Sequence, residues 1–395
     1  MPNPTDIHHI KGYTFTTDRG VGFNITLVIL ALLSATGVAF GLHALYVGHD
    51  HVYGVSRQVP WGLLIAAYVF FVVTSTGLCL VSSLGHVFGF ESFHKIGKRA
   101  VYLAICTIIS GFLVISFEIE NPWRMAIYNI LSPNLTSNIW WMGTLYGAYL
   151  FFMVSEFALL VKGKHKAAGI LGLLGVIAGI AAHSNLGAVF GLLNGREFWH
   201  GPYMPIYFIA SALMSGCAAI LFFTYIAHWT NNKPIDTGLN ASLKATGKLA
   251  MFLMAILMFF VTWKVLSGIA GNPPGKFEAM MTLIKGSYST NFWIGEILFG
   301  MALPFCILLI TRSESPKWAF AAGLVSMVGI FLMRYDLVVV GQLIPSFHSL
   351  GIEGHKSVLT YCPSLHEVVI TVGAMGFCGL MFLLGEQFFN GHESH

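Results

Sequence analysis

The chain has 395 residues, of which 56% are hydrophobic and only 10% are charged, and its mean hydropathy is +0.73. Because so few polar side chains cannot cover the surface of a soluble globule, the composition excludes a water-soluble protein and predicts one that lies in a membrane. The net charge of +4 comes from Lys and Arg residues that flank apolar segments, so no nucleic-acid partner is expected.

Ten apolar segments predict an all-α integral membrane protein. Residues 1–21 are polar and lead straight into the first segment, so no signal peptide is expected. Each segment holds roughly 20 apolar residues, enough for a helix to cross the hydrocarbon core, and the residue alternation typical of a β-barrel is absent. The predicted spans, numbered one to ten, are 22–48, 60–86, 98–119, 136–162, 166–190, 202–229, 245–270, 288–311, 316–336 and 364–387.

A weak internal repeat indicates how the spans are grouped. Spans two and six each begin at a proline, carry a patch with Gly and Cys in the middle and end at a histidine. The repeat predicts one membrane domain over residues 22–387, with bundle one formed by spans two to five (about 60–190) and bundle two by spans six to nine (about 202–336). Spans one and ten are expected to lie outside the bundles, and residues 388–395 form a predicted C-terminal tail.

The loop charges predict the orientation. Thirteen Lys and Arg residues flank the spans on the side of the N-terminus, and six lie on the other side. The positive-inside rule therefore places both termini in the cytoplasm. The loops on the external side are mostly longer and are rich in Pro, Gly, Trp and His, so we expect a protein partner to dock there.

The cysteines and histidines indicate which redox cofactors this chain can bind. The six cysteines occur singly and without CxxC spacing, so no iron-sulfur cluster is expected in this chain. A b-type haem needs two histidines that face each other at similar depth, and His86 and His228 are the only candidates for such a pair. Both lie at the ends of their spans, so no haem is expected either.

Four carboxylates lie in or beside apolar segments: Glu118, Glu156, Glu296 and Glu367. An ionisable side chain in hydrocarbon is costly unless it is paired, neutralised or hydrated, so such residues usually line a path for protons, ions or substrate. Glu118 ends span three and Glu367 begins span ten, close to the external face. Glu156 lies nearer the cytoplasm.

Glu118 has two interpretations. In one it is a carboxylate at headgroup level beside Asn121, and in the other it accepts protons from a quinol bound in an apolar cleft. Trp140, Trp141 and Tyr146, at the start of span four, are suited to line such a cleft. Tryptophans at this depth also form the aromatic belt of membrane proteins, so both interpretations stay open.

Other polar residues of the spans are candidates for proton transfer. His183 serves either as a hydrogen-bond partner between helices or as a proton relay and quinone ligand. Arg334 and Asp336 either neutralise one another or pair with Glu367. The candidate proton route comprises His86, Glu156, Glu296, Arg334, Asp336 and Glu367.

Several motifs resemble those of the NrfD-like proteins, the membrane subunits of polysulfide reductase and related complexes. The likeness covers residues 55–390, and within the family it is closest to a ten-span branch found in hydrogenase and sulfur-metabolism complexes. The motifs that carry it, in this order and spacing, are VPWGLLIAAYVFFVVTSTG, EIENPWRM, AHSNLGAVFGLLNGREFWHGPYMPIYFIASALMSG, FLMRYDLVV and PSLHEVVITVGAMGF.

The resemblance implies a role in electron transfer. Such subunits hold no haem or iron-sulfur cluster of their own, bind menaquinone or menaquinol as substrate, and exchange electrons with a ferredoxin-like iron-sulfur subunit docked on the external face. Further redox subunits complete the complex in the prokaryotic cytoplasmic membrane. Where the family has Asp-Leu-Gly-Arg-Pro this chain begins with Glu118, so the carboxylate role carries over, whereas Asn121 stands at the Arg position and puts any pairing by that Arg in doubt.

Three hypotheses follow for the function. The leading one is a quinone-reactive membrane subunit of a respiratory oxidoreductase complex, which is not catalytic alone and which conducts protons if its buried polar residues form a route. A second is a secondary transporter or proton channel, because repeated bundles and buried carboxylates are also transporter features. The third is a structural or proton-conducting anchor of the same family that binds no quinone.

Overall fold

The computed structural model describes residues 7–10, 13–16, 21–345 and 358–389. Ten of the described helices are long and apolar enough to cross a membrane, which confirms the all-α class and the predicted number of spans. In the same numbering, the spans are Val21–Val47, Leu63–His86, Glu91–Glu118, Asn138–Val161, His165–Gly191, Tyr203–Thr230, Thr237–Ile269, Asn291–Ile310, Pro316–Leu343 and Leu365–Phe389.

Short elements lie at the ends of the spans. We call the face at which span one begins the proximal face and the opposite face the distal face. Three short helices lie in distal connections: His49–Val52, Pro122–Leu131 and Lys276–Ile284. Strands Ile7–Ile10 and Tyr13–Thr16 pair antiparallel within the predicted N-terminal segment. Residues 390–395 of the predicted tail lie outside the described residues.

Three predicted span boundaries are wrong by about two turns. Span three begins at Glu91 rather than 98, span seven begins at Thr237 rather than 245, and span nine ends at Leu343 rather than 336. Hydropathy marks only the hydrocarbon part of a span, whereas spans three and seven begin with polar turns in the headgroup region. In span nine the apolar residues 337–343 continue the helix beyond the charged Arg334 and Asp336. Consequently Arg334 and Asp336, predicted at the end of span nine, lie well inside it, and both are buried.

Facing glycines bring pairs of spans into backbone contact. Gly77 of span two lies against Ala212 and Gly216 of span six, and a Cβ added to either glycine would overlap the other backbone. The same arrangement joins spans eight and nine at Gly300 and Gly329, and spans one and ten at Gly37 and Gly373. Small residues permit this close packing in lipid, where dispersion contacts rather than water exclusion hold helices together.

Span eight changes its helical geometry halfway. Asn291–Ala302 is a π-helix, and Leu303–Ile310 continues as an α-helix. Pro304 has no N–H to donate to the carbonyl oxygen of Gly300, and the Ser326 hydroxyl of span nine donates to that oxygen instead, at 3.2 Å. Sequence analysis predicted an uninterrupted α-helix here. The buried Glu296 lies in the π-helical segment.

A buried ion pair fastens span three to span ten. The Arg99 guanidinium donates from Nε to Oε1 of Glu386 at 2.7 Å and from Nη2 to Oε2 at 3.0 Å, and both side chains are almost fully buried. The sequence analysis counted Arg99 among the loop charges and did not consider Glu386. Because span three begins at Glu91, Arg99 lies two turns inside the helix, where it needs a partner.

We expect Glu386→Leu to destabilise the protein by about 3–5 kcal/mol, because it leaves the Arg99 charge buried and unpaired. The double variant Arg99→Met/Glu386→Leu should regain most of that stability. Thermal unfolding of the purified protein in detergent measures both. The matched control is Glu314→Gln, which breaks an exposed pair with Lys244 (2.8 Å) and should cause no measurable loss. Equal losses at Glu386 and Glu314 would contradict the argument from burial.

Candidate functional site

A cavity of about 440 Å³ opens near the distal face between spans two, three, four and five. Helix Pro122–Leu131 forms one of its sides. Most of the wall is apolar, including Ile115 and Ile119 of span three. Six of the side chains that line it carry a polar group: Trp61, Tyr68, Tyr128, Asn129, Ser137 and Trp140. An apolar pocket with a few convergent polar groups is the usual form of a small-molecule site.

Hydrogen bonds fix the side of the cavity near span four. The Trp140 Nε1–H donates to the backbone oxygen of Asn129 at 2.8 Å, and the Asn129 amide donates to the Thr144 hydroxyl at 3.1 Å. These bonds hold the Trp140 ring, which lines the cavity. The neighbouring Trp141 points outward, does not line the cavity, and donates from Nε1 to the oxygen of Leu135 at 2.9 Å.

Tyr146 and His183 lie together behind the cavity wall. Both are fully buried, and the Tyr146 hydroxyl is 3.4 Å from His183 Nδ1. Nε2 of His183 lies 3.0 Å from the backbone oxygen of Phe208, which can only accept, so Nε2 carries the proton and Nδ1 accepts from Tyr146. Tyr68, which lines the cavity, interacts with Tyr146. Sequence analysis missed Tyr68 because one tyrosine in an apolar span carries no distinguishing pattern.

Glu118 does not line the cavity, although Ile115 and Ile119 on the same span do. Its carboxylate lies near Tyr53 and Glu367 instead. Burial, followed by the negative charges of Glu118 and Glu367, raises the pKa of Tyr53 well above the usual range for tyrosine, so its hydroxyl stays protonated. One carboxylate oxygen of Glu118, Oε2, is buried without a hydrogen-bond partner in the part of the protein that the structure describes.

Glu367 caps span ten. Its Oε2 accepts from the N–H groups of Gly54 (2.9 Å) and Ser364 (2.8 Å), and its own N–H donates to the Ser364 hydroxyl at 3.2 Å. The Tyr361 hydroxyl donates to Oε1 at 2.5 Å and accepts from the N–H of Leu63. Ser364 and Glu367 form a capping box, a structural role that the sequence S-L-H-E could have indicated.

Bundle two has its own buried polar residues. The Arg334 guanidinium lies 5.1 Å from the centre of the Phe208 ring and donates from Nη2 to the Ser211 hydroxyl at 2.7 Å. Its Nε and Nη1 are buried and have no hydrogen-bond partner among the described residues. Neither of the ion pairs that the sequence allowed, with Asp336 or with Glu367, occurs between the described side chains.

Two carboxylates of bundle two have partners from neighbouring spans. Glu296 Oε1 lies 3.3 Å from the Lys264 ammonium of span seven and accepts from the Tyr207 hydroxyl at 3.5 Å. Asp336 Oδ1 accepts from the Asn291 amide at 3.2 Å, and its Oδ2 is buried with no partner among the described residues. Sequence analysis set Lys264 aside as a charge within a span, whereas it is the counter-ion of Glu296.

The proximal half contains the remaining predicted residues. Glu156 is buried, and its Oε1 lies 3.8 Å from Nδ1 of His86, a distance longer than a direct hydrogen bond. His86 also contacts the ring of His94, while His228 lies near Arg99 in a different environment. Within the described ranges, no group of three or more His, Cys, Asp or Glu side chains is placed to hold a metal ion.

Comparison with known proteins identifies the family. The family model described as "Polysulphide reductase, NrfD" matches residues 51–346. The chain is 27% identical over 385 residues to the Hdr-like menaquinol oxidoreductase integral membrane subunit of Archaeoglobus fulgidus, covering 93% of this chain and 94% of that one.

Two further relatives agree with this match. A selenate reductase subunit of Mesobacillus selenatarsenatis is 28% identical, with 83% of this chain and 85% of that protein covered. A polysulfide reductase chain of Wolinella succinogenes is 20% identical, with 72% and 95% covered. The resemblance drawn from the motifs is thereby confirmed: the chain belongs to the NrfD family of integral membrane proteins.

Proposed function

We propose that this chain is the quinone-reactive membrane subunit of a respiratory oxidoreductase complex, and that menaquinol or menaquinone binds in the distal cavity as its substrate. The observation that carries the proposal is the cavity wall, in which apolar residues of four spans surround Tyr68, Asn129 and Trp140. A quinone has an apolar ring and two oxygens that need hydrogen-bond donors, which the Tyr68 hydroxyl and the Asn129 amide can supply. Relatives named as menaquinol oxidoreductase and polysulfide reductase subunits support it.

Quinol oxidation releases two electrons and two protons, so proton acceptors must lie near the ring. Two tyrosines line the wall, the buried Tyr68 and the exposed Tyr128, and we assign the hydrogen bond to a quinone oxygen to the Tyr68 hydroxyl. Behind it, a proton that reaches Tyr146 can pass on to Nδ1 of His183 as the hydroxyl proton of Tyr146 moves along their hydrogen bond. In this proposal His183 acts as a relay and not as a direct quinone ligand.

Glu118 is the second proposed acceptor. Ile115 of span three and Ile119, the residue that follows the span, line the cavity, whereas Glu118 lies near Tyr53 and Glu367. The unpartnered Oε2 of Glu118 can take a proton or bond a water molecule, whereas the oxygens of Glu367 already accept from Gly54, Ser364 and Tyr361. We therefore assign proton acceptance to Glu118 and helix capping to Glu367, which still belongs to the candidate route through its position beside Glu118.

Electrons leave the proposed site through a partner. The single cysteines favour an iron-sulfur centre on another subunit, which we propose is ferredoxin-like and docks on the distal face. Helix Pro122–Leu131 forms a side of the cavity and exposes Trp123, Ile127, Ile130 and Leu131, an apolar surface that such a partner would cover close to the quinone. Other redox subunits of the complex would complete the electron path.

Protons are proposed to cross bundle one and bundle two along buried polar residues. The route begins at the proximal face with His86 and Glu156, and its distal part contains Glu296, Arg334 and Asp336. The unpartnered nitrogens of Arg334 and the free Oδ2 of Asp336, judged over the described residues, are positions where water molecules would bind. From the loop charges we propose that the proximal face lies in the cytoplasm of a prokaryotic cell, with the quinone close to the outer surface of its inner membrane.

We expect Tyr68→Phe to raise the KM for menaquinol roughly three- to tenfold, because it removes one hydrogen bond to the quinone and little else. Quinol-dependent electron transfer by the intact complex measures this value. Tyr46→Phe, at an exposed tyrosine of span one, is the matched control and should behave like the parent. An unchanged KM in both variants would exclude a quinone bonded to Tyr68.

Glu118→Gln should lower the turnover of quinol oxidation about a hundredfold, because the amide cannot accept a proton in place of the carboxylate. Glu120→Gln, two residues further and exposed, changes the same charge and should leave turnover intact. Turnover is measured with the intact complex under saturating quinol. If Glu118→Gln keeps the parent rate, Glu118 has no part in the reaction.

Glu156→Gln tests the proton route separately from the quinone site. During quinol oxidation by the complex in proteoliposomes it should abolish proton release at the proximal side, while electron transfer in detergent persists. Glu91→Gln, at the exposed proximal end of span three, is the control. Proximal proton release that survives Glu156→Gln would remove this residue from the route. Proton movement by the isolated protein without a redox partner would favour a transporter or channel.

A further inference from the structure

Span six joins the two bundles through one carbonyl oxygen. The backbone oxygen of Phe208 accepts from Nε2 of His183, in span five, at 3.0 Å and from the hydroxyl of Ser211, in its own span, at 3.0 Å. The Ser211 hydroxyl in turn accepts from Nη2 of Arg334, in span nine, at 2.7 Å. A histidine of bundle one and an arginine of bundle two are therefore linked through Ser211.

The three linked side chains are deeply buried. His183, Ser211 and Arg334 are each 0% exposed, and each lies about two turns inside the distal end of its span. The His183 ring and the Arg334 guanidinium lie 5.7 Å and 5.1 Å from the centre of the Phe208 ring, and they interact electrostatically. Because a buried environment screens charges weakly, a charge gained by His183 would act strongly on Arg334.

This network transmits charge and not protons. The acceptor that His183 and Ser211 share is a carbonyl oxygen, which has no proton to pass on. A proton that reaches Nδ1 of His183 from Tyr146, as proposed above, therefore cannot continue to Arg334 and gives the imidazole a positive charge. That charge repels the guanidinium of Arg334, which stays protonated.

Arg334 is free to respond to that charge. Ser211 is its one hydrogen-bond partner among the described residues, and its Nε and Nη1 are buried without any. It interacts electrostatically with Glu296 of span eight but lies beyond ion-pair distance of it. The Tyr207 hydroxyl lies 3.5 Å from Glu296 Oε1 and 2.8 Å from the Met333 sulfur, which places this carboxylate near the same part of span nine. Loss of the bond to Ser211 would let the guanidinium turn toward Glu296.

We infer that Ser211 is a positioning residue through which protonation of His183 moves Arg334. In the structure, Ser211 holds the guanidinium on the side of His183. When His183 gains a proton, the imidazolium repels the guanidinium, the bond to Ser211 breaks, and Arg334 turns to Glu296. The inference rests on the proposed relay from Tyr146 to His183 and extends that relay to bundle two.

The movement would change the balance of charge around Glu296. The counter-ion of Glu296 in the structure is Lys264, at 3.3 Å. A second cation beside Glu296 favours the ionised carboxylate, so a proton that this residue has taken up would leave it. That proton would pass to the water proposed at Oδ2 of Asp336, and the return of Arg334 to Ser211 would let Glu296 take up the next one. A proton loaded in bundle one would thus release one in bundle two.

The first arm of the test counts the protons that cross the membrane per electron during quinol oxidation by the complex in proteoliposomes. Ser211→Ala should lower this ratio by roughly half, because Arg334 then has no bond that holds it near His183. The rate of quinol oxidation in detergent should stay close to that of the parent, since Ser211 neither lines the distal cavity nor bonds to Tyr146.

Two variants of span six are matched controls. Ser215→Ala removes an equally buried hydroxyl one turn further along, which donates to the backbone oxygen of Ser211 at 2.7 Å, and should keep the parent ratio. Ser211→Thr keeps a hydroxyl at the linking position and should retain most of the ratio.

The second arm is infrared difference spectroscopy of the complex in detergent, which detects a change at the carboxyl group of Glu296 when quinol is added. Glu296→Gln identifies the signal, because the amide has no carboxyl band. We expect the signal in the parent and in Ser215→Ala, and its loss in Ser211→Ala. A purely structural role of Ser211 would not remove it.

A parent-like ratio or an unchanged Glu296 signal in Ser211→Ala would overturn the inference, as would the absence of that signal from the parent. Failure of the proposed function looks different. In that case the parent complex itself would not oxidise quinol or would move no protons, whichever variant is compared with it.

Discussion

The rest of the structure depends on the backbone contact between spans two and six. Gly77 and Gly216 have no side chains to separate the two helices, so the backbones of spans two and six touch at this point. Two turns before Gly216, the backbone oxygen of Phe208 accepts from His183 of bundle one, while the Phe208 ring lies under Arg334 of bundle two. Any larger residue at this crossing would separate these polar groups.

Buried polar residues whose hydrogen bonds are all made differ in role from those that keep an atom without a partner. In lipid an unpaired charge is expensive, so the Arg99–Glu386 pair and the capped Glu367 are explained by the stability that they give to the packing. Glu118, Arg334 and Asp336 each retain a buried polar atom without a partner among the described residues. Such atoms require water or substrate, which is why the proposed chemistry is placed at these residues.

Sequence alone predicted the architecture and the residue types of the site, but not its geometry. Length and hydropathy define a span, so the ten spans were recoverable. The start of span three was missed because its first turns are polar, and the end of span nine because Arg334 and Asp336 interrupt its apolar pattern. Depth predicted from hydropathy does not give the direction of a side chain. Adjacent tryptophans such as Trp140 and Trp141 face opposite ways, and Glu118 turns away from the cavity that Ile119 lines. Partners such as Lys264 and Glu296 come from spans distant in sequence, and only packing brings them together.

The two proposed proton acceptors, Glu118 and the Tyr146–His183 pair, lie on different sides of span three. Which of them takes the protons determines whether turnover moves charge across the membrane. Electrons from a quinol in the distal cavity would leave on the distal side. Protons taken by Glu118, on the far side of span three, would leave on the same side, so no net charge would cross the membrane. Protons passed from Tyr146 to His183 and on to Glu156 would emerge at the proximal face, separating them from the electrons across the membrane. The residue that accepts the protons, more than the quinone itself, therefore decides whether turnover in this protein moves charge across the membrane.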